Sequence, residues 1–585
     1  MNIIFLSELA DIAFIEYMKT KGTVILVPED VRFDPGIRSH PDLILSVIDD
    51  TLVIDPHAHQ NIFNQLDALG IPYVMGTSRL SGVYPGDIPY NAVITKEFII
   101  HNPEYTDSLL FTHSKYTNKH LIPVKQGYTK CSTVVVNDNS IITGDPGIYQ
   151  CSKDLMNVLF IQSGHVVLEG FDTGFLGGAS ASFQDSILFH GDLSKHPDYL
   201  RIKAFVEAAD KEVIYFKEFP LTDIGSVLIY QTPQLIPSDP PSNIKKHVNI
   251  PIFISHEGCP NDCVFCNQRK ITAKDQAMTL EEVAHQITTY SSTLDHHTDV
   301  ELAFFGGSFT GIESGLQERY LKFAYDYKQA GKLHGIRLST RPDYITPEIL
   351  DRLKHYQVDI IELGVQSLDE TVLKASNRGH LVKDVYQAVH LIKAYGFRLG
   401  IQLMTGLPKD TKERSVFSSK LAALLKPEFI RIYPTLVIKE THLLKLCRMG
   451  EYQPLSLETA VDWTKEMYQV FLRDQIPVIR MGLQPTDLIA EGKEVVYGPF
   501  HPAFRQLVES SYFLDLITAM LSKIDVPLPN AAPIIIRCNP RDLSQVIGHH
   551  RKNLLTLKKF YPNLKISPDP AVKSMKLDLP YDIQT

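Results

Sequence analysis

The clearest ordering of apolar and polar positions lies between residues 250 and 481. Short runs dense in Ile, Leu, Val and Phe alternate there with longer segments of helical spacing. The runs are Ile250–Ile254, Val300–Phe305, Gly335–Ser339, Ile360–Val365, Leu399–Met404 and Phe429–Pro434, with Val478–Met481 as an extra candidate. They lack the alternation of a half-exposed strand, so strands buried on both faces are expected. Helices are expected over Thr279–Tyr290, Gly315–Ala330, Thr346–Tyr356, Lys383–Tyr395, Thr411–Leu425 and Ser456–Arg473. Thr346-Pro347-Glu348 marks one start, a cap residue followed by Pro in the first turn. Six strand–helix units in succession predict a parallel barrel or part of one. Function is then expected at the carboxyl ends of the strands.

The pattern breaks at Thr232–Asn243, where four prolines fall within twelve residues. Such a segment continues neither a helix nor a central strand and reads as a linker. The expected division is an α/β domain at 1–231, a linker at 232–247, the barrel at 248–511 and a small α+β domain at 512–585. In the last part Pro533–Cys538 reads as a strand, and Asn539–Leu555 as helix, turn and helix.

Composition changes this picture little. The chain of 585 residues is 44% hydrophobic and 21% charged, ordinary for a globular multidomain protein. Net charge is −9, so there is no global signature for nucleic acid, and no DNA partner is expected. Residues 533–585 depart from this, with nine Lys and Arg against four Asp and Glu. No apolar run reaches about 18 residues, so no membrane span is expected. Seven cysteines in so long a chain do not suggest a disulfide scaffold. The start of the chain lacks the basic flank of a signal peptide, and a reduced, cytoplasmic setting is expected.

Three of those cysteines, Cys259, Cys263 and Cys266, stand in a C-x3-C-x2-C run directly after the first barrel strand. Thiolates so close together suit an iron–sulfur cluster or zinc. Three rather than four leave one metal position open. A zinc knuckle would need a fourth ligand, for which His256 is the nearby candidate.

The run, with Phe265 before its third cysteine, resembles the radical S-adenosylmethionine (SAM) superfamily. That likeness implies that Cys259, Cys263 and Cys266 hold three irons of a [4Fe-4S] cluster while SAM occupies the fourth. It implies that Gly306-Gly307, at the end of the second strand, receive the methionine amino group. Arg337–Tyr344, Ile361–Ser367, Gly406-Leu407-Pro408 and Arg431–Thr435 extend the resemblance, over about Pro251 to Glu509, to the catalytic subunit of the elongator complex and its bacterial relatives. Those proteins modify wobble uridine in tRNA. Glu362 and Gln366 on the fourth strand are then expected to face the cofactor. The segments Arg480–Thr486 and Gly498–Arg505 belong to the same stretch, and the second is expected to border the site. About 75 residues follow the barrel, and they contain no glycine-rich acetyl-CoA loop, so acetyl transfer is not carried over. The likeness also implies an external electron donor such as flavodoxin or ferredoxin. Catalytic residues acting on the substrate are not identified.

Val546–Leu554 resembles the core of a KH domain, in which a Gly-x-x-Gly loop clamps a nucleic-acid backbone. Here Arg551 replaces the second glycine. Arg541, Arg551, Lys552, Lys558 and Lys559 would form an RNA-binding patch, against the alternative of a solvated basic face. Residues 1–231 resemble the guanidino-group-modifying enzymes, five-bladed propellers of ββαβ units, on Val167–Asp172 and Ile187–Lys195. Their late nucleophilic cysteine is missing: Ser226 stands there without an evident base, and Cys131 and Cys151 lie elsewhere. A propeller-like domain without that activity is expected, with Asp172 and His190 structural.

Three functions stay open at this level. The first is a radical SAM enzyme that makes a 5′-deoxyadenosyl radical to modify tRNA or another RNA. The second is the same chemistry on a small molecule or peptide. The third is a non-catalytic, zinc-containing RNA- or protein-binding scaffold.

Overall fold

The computed structural model describes residues 2–117, 119–232, 247–254, 263–267, 278–292, 298–483, 493–522 and 534–579. Cys259, His256, most of the proline-rich linker and Gln484–Thr486 lie outside them. The chain divides into two compact units, residues 1–244 with 473–475, and residues 245–472 with 476–585.

Five three-stranded sheets build the first unit, and one pairing scheme serves them all. A first strand pairs antiparallel with a second, a helix follows, and a third strand returns parallel to the second. Leu45–Ile48, Thr51–Ile54 and Val74–Met75 form one such unit around helix Gln60–Leu69. Val93–Ile94, Phe98–His101 and His120–Pro123 form the next. Thr133–Asn137, Ser140–Thr143 and Asn157–Phe160 form the third, and Ser180–Ser182, Ser186–Phe189 and Glu212–Tyr215 the fourth. The fifth joins both ends of the region: Leu228–Gln231 pairs with Asn2–Ser7, which pairs with Thr23–Val27. The first strands touch in turn, Leu45–Ile48 beside Leu228–Gln231, then Ser180–Ser182, then Thr133–Asn137. These four strands therefore line up in one inner row. Middle strands such as Thr51–Ile54 and Ser186–Phe189 are buried at every position, which explains their unbroken apolar character.

The second unit is built on one seven-stranded sheet. Its strands are β1 (His247–Phe253), β2 (Asp299–Phe305), β3 (Gly335–Thr340), β4 (Ile360–Gln366), β5 (Arg398–Thr405), β6 (Phe429–Pro434) and β7 (Val478–Met481). They lie side by side in chain order, and every pairing is parallel. An order with no reversal is that of a barrel, not of an open doubly wound sheet. β1 and β7 are not paired with each other, so the barrel is partial. All seven expected strands are present, each within three residues of its expected bounds. The helices between them include Leu280–Ser291, Ser314–Gln329, Pro347–His355, Val382–Ala394, Lys412–Leu424 and Leu457–Arg473. The Thr279 hydroxyl and Glu282 carboxylate close a reciprocal cap at the start of the first.

Helix Phe504–Leu521 leaves the barrel and carries the tail. Arg505 Nη1 donates to the carbonyls of Val478 and Ile479 on β7. The far half of the helix, through Phe513, Ile517 and Leu521, packs on Ile536, Val546, Leu554, Leu557 and Leu564. So small a tail gains from a helix shared with a larger body. It contains the strand Ile535–Cys538, flanked by Lys565–Pro568 in parallel and Leu577–Asp578 in antiparallel. Leu543–Ile547 and Lys552–Lys558 are its two short helices. No helix among the described residues is long and apolar enough to cross a membrane.

Candidate functional site

The end of β1 leads into the cysteine run, of which Cys263 and Cys266 are described. Cys263 is buried and Cys266 half-buried. A tight turn, Cys266 N–H to the Cys263 carbonyl at 3.0 Å, brings them together. Two other barrel loops pin this turn: Val264 N–H donates to the Ser376 carbonyl at 3.2 Å, and Leu443 N–H to the Val264 carbonyl at 2.7 Å. The Val264 side chain is sealed among Val437, Leu443 and Leu444. Cys263 and Cys266 thus sit at the carboxyl ends of the strands.

A buried guanidinium faces the cysteine. Arg378 Nη1 donates to Cys263 Sγ at 3.1 Å, and its Nη2 donates to the carbonyl of Gly364 on β4. Its Nε is buried without a partner. Two residues on, both ring nitrogens of buried His380 lack hydrogen-bond partners. Burial, helped by the charges of Arg378 and Arg341, pushes the His380 imidazole down to about 3, so it is neutral. Gln366 ends β4 beyond a register shift against Leu403, at φ +68°, and its buried Oε1 also lacks a partner. Polar atoms are seldom buried unpaired in a finished interior, and left-handed backbone is uncommon at a non-glycine residue. Unsatisfied donors and acceptors beside an arginine-facing cysteine are what a polar, anionic group would complete. The residues present therefore fit an iron–sulfur cluster with a polar co-ligand.

Gly306 and Gly307 follow β2, with Gly306 at φ +94°. Hydroxyls fasten their turn to the end of β3: Ser308 Oγ meets Thr340 Oγ1 at 2.8 Å, and Arg341 N–H donates to Ser308 Oγ at 3.2 Å. This glycine turn and Gln366 occupy the same end of the sheet as the cysteines.

Glu362 does not join them. It stands four residues before Gln366, about 13 Å along an extended strand, and is fully buried. Its carboxylate binds Arg337 Nη1 at 3.0 Å and Arg431 Nε at 2.8 Å, and accepts from Gln402 Nε2 at 3.2 Å. Arg337 also pairs with Glu301 at 2.6 Å. Burial opposes the charge on Arg431, but the Glu362 carboxylate outweighs it and holds the guanidinium above its ordinary value. Where a cofactor contact is expected of Glu362, the structure places arginines from β3 and β6. Glu301, Arg337 and Arg431 also line a cavity of about 710 Å³ toward the amino ends of the strands. Closed barrels fill this space with branched apolar side chains; here it is polar and open.

In the tail, Arg541, Arg551, Lys552, Lys558 and Lys559 are all exposed. Gly548, His550 and Arg551 have φ of +85°, +50° and +63°, so the loop keeps a left-handed backbone without its second glycine. The helix that carries the tail anchors the loop. Asn553 Nδ2 donates to the Ser510 carbonyl at 2.7 Å, and the rings of His549 and His501 meet edge to face at 5.3 Å. That contact puts the loop beside Gly498–Arg505. Exposed Leu555 and Phe560 flank the lysines. In the first unit, His190 is structural: Nε2 accepts from Asp11 N–H at 3.0 Å, and Nδ1 is 3.1 Å from the Thr222 carbonyl. Asp172 is exposed.

Arg378 and His380 escaped the sequence reading. Their one local signal is the polar run Asn377-Arg378-Gly379-His380 on a strand-to-helix connection, and Cys263 is 115 residues away.

Three stretches of the chain match protein families. Residues 5–228 match a family of unknown function. Residues 253–416 match the radical SAM superfamily, and 427–512 match the radical SAM C-terminal domain. Elongator complex protein 3 of Danio rerio is 30% identical over 229 residues, 33% of this chain and 41% of that protein. A tRNA uridine(34) acetyltransferase of Dehalococcoides mccartyi is 27% identical over 230 residues, 34% of this chain and 50% of that protein. The solved structure of archaeal Methanocaldococcus infernus Elp3 with an N-terminal deletion aligns over 48% of this chain and 64% of its own, at 21% identity and a TM-score of 0.37. The chain spans about two fifths to one half of the length of the curated relatives it matches. With a half-barrel, Cys263 and Cys266 at its carboxyl end and both family matches in order, residues 253–512 carry a radical SAM domain and a radical SAM C-terminal domain, similar in sequence to the corresponding part of elongator complex protein 3.

Proposed function

We propose that this protein cleaves SAM at a [4Fe-4S] cluster and uses the product to modify RNA, with the wobble uridine region of tRNA as the intended substrate. The observation that carries the reading is the Arg378–Cys263 contact amid unpartnered Gln366 and His380, inside a radical SAM match. Cys259, Cys263 and Cys266 would hold the cluster. When bound, the cluster supplies the electron that breaks a carbon–sulfur bond of SAM, yielding a 5′-deoxyadenosyl radical that takes a hydrogen atom from the substrate.

This chain's own residues then have defined tasks. Arg378 places a buried positive charge beside Cys263 and braces the loop against β4. The turn at Gly306-Gly307 lets backbone approach the methionine end of SAM closely. Gln366 offers a buried carbonyl oxygen, and neutral His380 offers either a donor or an acceptor. Glu362 acts at a distance by fixing Arg337 and Arg431, which shape the polar interior. An external one-electron donor is required.

Three features support RNA as substrate: the similarity to a tRNA uridine(34) acetyltransferase, the exposed basic residues of the tail, and the packing of the tail loop against His501. Basic side chains on a left-handed backbone loop suit phosphates. Nucleoside profiles of tRNA by mass spectrometry, with and without the protein, test this. A modified uridine lost when the protein is absent supports the proposal. Unchanged tRNA, together with SAM cleavage stimulated by a small molecule or peptide, overturns the RNA reading.

A further inference from the structure

We propose that His40, Cys131 and Asp223 form a divalent-metal site, suited to Zn²⁺, within the five-unit N-terminal domain. It is separate from the barrel chemistry and does not depend on that reading. One donor atom from each of the three lies within 4.8 Å of the others. The residues are 4%, 3% and 4% exposed, so the cluster is internal and not a chance meeting of surface groups.

The topology explains the convergence. Each residue lies in the segment that enters an inner strand: His40 before Leu45–Ile48, Cys131 before Thr133–Asn137, Asp223 before Leu228–Gln231. Equivalent strands of repeated units run the same way along the row, so their entry segments lie at one end, where the three donors meet. Asn91 and Gly177-Gly178 hold the corresponding places in the two remaining units.

The site is built, not incidental. Asp223 is aimed by two backbone donors, Phe175 N–H at 2.9 Å and Gly225 N–H at 3.0 Å. Asn91 Nδ2 donates to Cys131 Sγ at 3.3 Å. A side chain at Gly178 would come within 1.9 Å of Asp223 Oδ1, and one at Gly225 within 2.2 Å of His40. Glycine alone lets the backbone close on the donors there.

A second observation points to a missing cation. The Cys131 thiol donates to Asp42 Oδ2 at 2.9 Å. Asp42 is 1% exposed, and its Oδ1 is buried with no hydrogen-bond partner. Asp42 and Asp223 form no ion pair among the described residues. Carboxyls buried in this way are ordinarily paired or coordinate a metal.

A tetrahedral zinc with one sulfur, one nitrogen and one oxygen donor sets them about 3.5 Å apart. The cluster needs only small side-chain shifts to reach that. On binding, the Cys131 thiol loses its proton to solvent and the thiolate takes the metal. Three protein donors leave a fourth position, bordered by Asp42, for water or an exchangeable ligand.

The test uses the full chain with Cys259, Cys263 and Cys266 all changed to Ala, so that the barrel loop holds no metal. After dialysis, elemental analysis is expected to find one zinc per chain. Replacement by Co²⁺ is expected to produce thiolate-to-metal charge-transfer absorption. Cys131→Ala should abolish that absorption, and Asp223→Asn should weaken Zn²⁺ binding about tenfold or more, with circular dichroism confirming the fold. Zinc near zero in the folded chain overturns the proposal, as does Co²⁺ bound without thiolate absorption. Both outcomes are read on the chain with Cys131 intact, so a misfolded Cys131 variant does not shield the proposal.

Discussion

Glu362→Gln isolates the buried charge network of the barrel. The substitution keeps the size of the side chain and removes its charge. Arg337 keeps Glu301 at 2.6 Å, but Arg431 is left with the Tyr433 hydroxyl at 3.4 Å. Removing one partner of a buried pair costs about 3–5 kcal/mol. Because Arg337 stays compensated, the lower end, about 3 kcal/mol, is expected. At about 2 °C per kcal/mol for a large folded body, the transition falls by about 6 °C. The assay is specific, since the only tryptophan in the chain, Trp463, lies on helix Leu457–Arg473 of the barrel unit. Its fluorescence in cluster-free chain follows that unit and not the N-terminal one. Arg431→Met alone should cost a similar amount. The double variant should cost less than the sum, with a coupling of about 2 kcal/mol. A shift within about 1 °C, or an additive double variant, refutes the network as drawn.

Other expectations follow from the same contacts. Arg378→Met should lower iron retained on anaerobic reconstitution and cut 5′-deoxyadenosine formation about tenfold or more, with Arg378→Lys between; wild-type iron and rate in Arg378→Met would contradict its role at Cys263. Burial pushes the Asp410 carboxyl up to about 6, against hydrogen bonds from Ser415, Gly406 and Thr411. Its folded form holds a proton that the unfolded form has lost. Relative to Asp410→Asn, the wild type should therefore be most stable below about pH 4 and lose up to about 3 kcal/mol as pH rises through 6; parallel curves of thermal stability between pH 4 and 7 would refute this. Arg551→Glu with Lys552→Glu should weaken tRNA binding about tenfold or more and flatten the slope of log affinity against log salt by about 1.5 to 2. Affinity within twofold of wild type would remove the tail from the RNA interface.

The barrel was legible because its strands are buried on both faces. Runs such as Ile360–Val365 and Leu399–Met404 have few other readings, and Thr346-Pro347 marks a helix start on its own. The cysteine run was equally plain, since its chemistry lies in local spacing. What escaped depends on register and distance. Glu362 was correctly placed on the fourth strand. That Arg337 and Arg431 stand beside it follows from inter-strand register, which a sequence does not display. Arg378 reaches Cys263 across 115 residues, and nothing periodic marks its loop. The first unit hid more, because some of its strands are only two residues long, such as Val93–Ile94. A two-residue strand carries no readable period. The meeting of His40, Cys131 and Asp223 becomes visible only when the repeated units stand side by side.

The central claim is that Cys259, Cys263 and Cys266 hold a cluster that cleaves SAM. Anaerobically reconstituted protein, reduced in the presence of SAM, tests it most directly through paired iron and 5′-deoxyadenosine measurements. The account predicts about four irons per chain and 5′-deoxyadenosine on reduction, both lost in Cys263→Ala. A barrel that binds zinc and no iron at these cysteines, or an intact cluster that leaves SAM uncleaved, would contradict it.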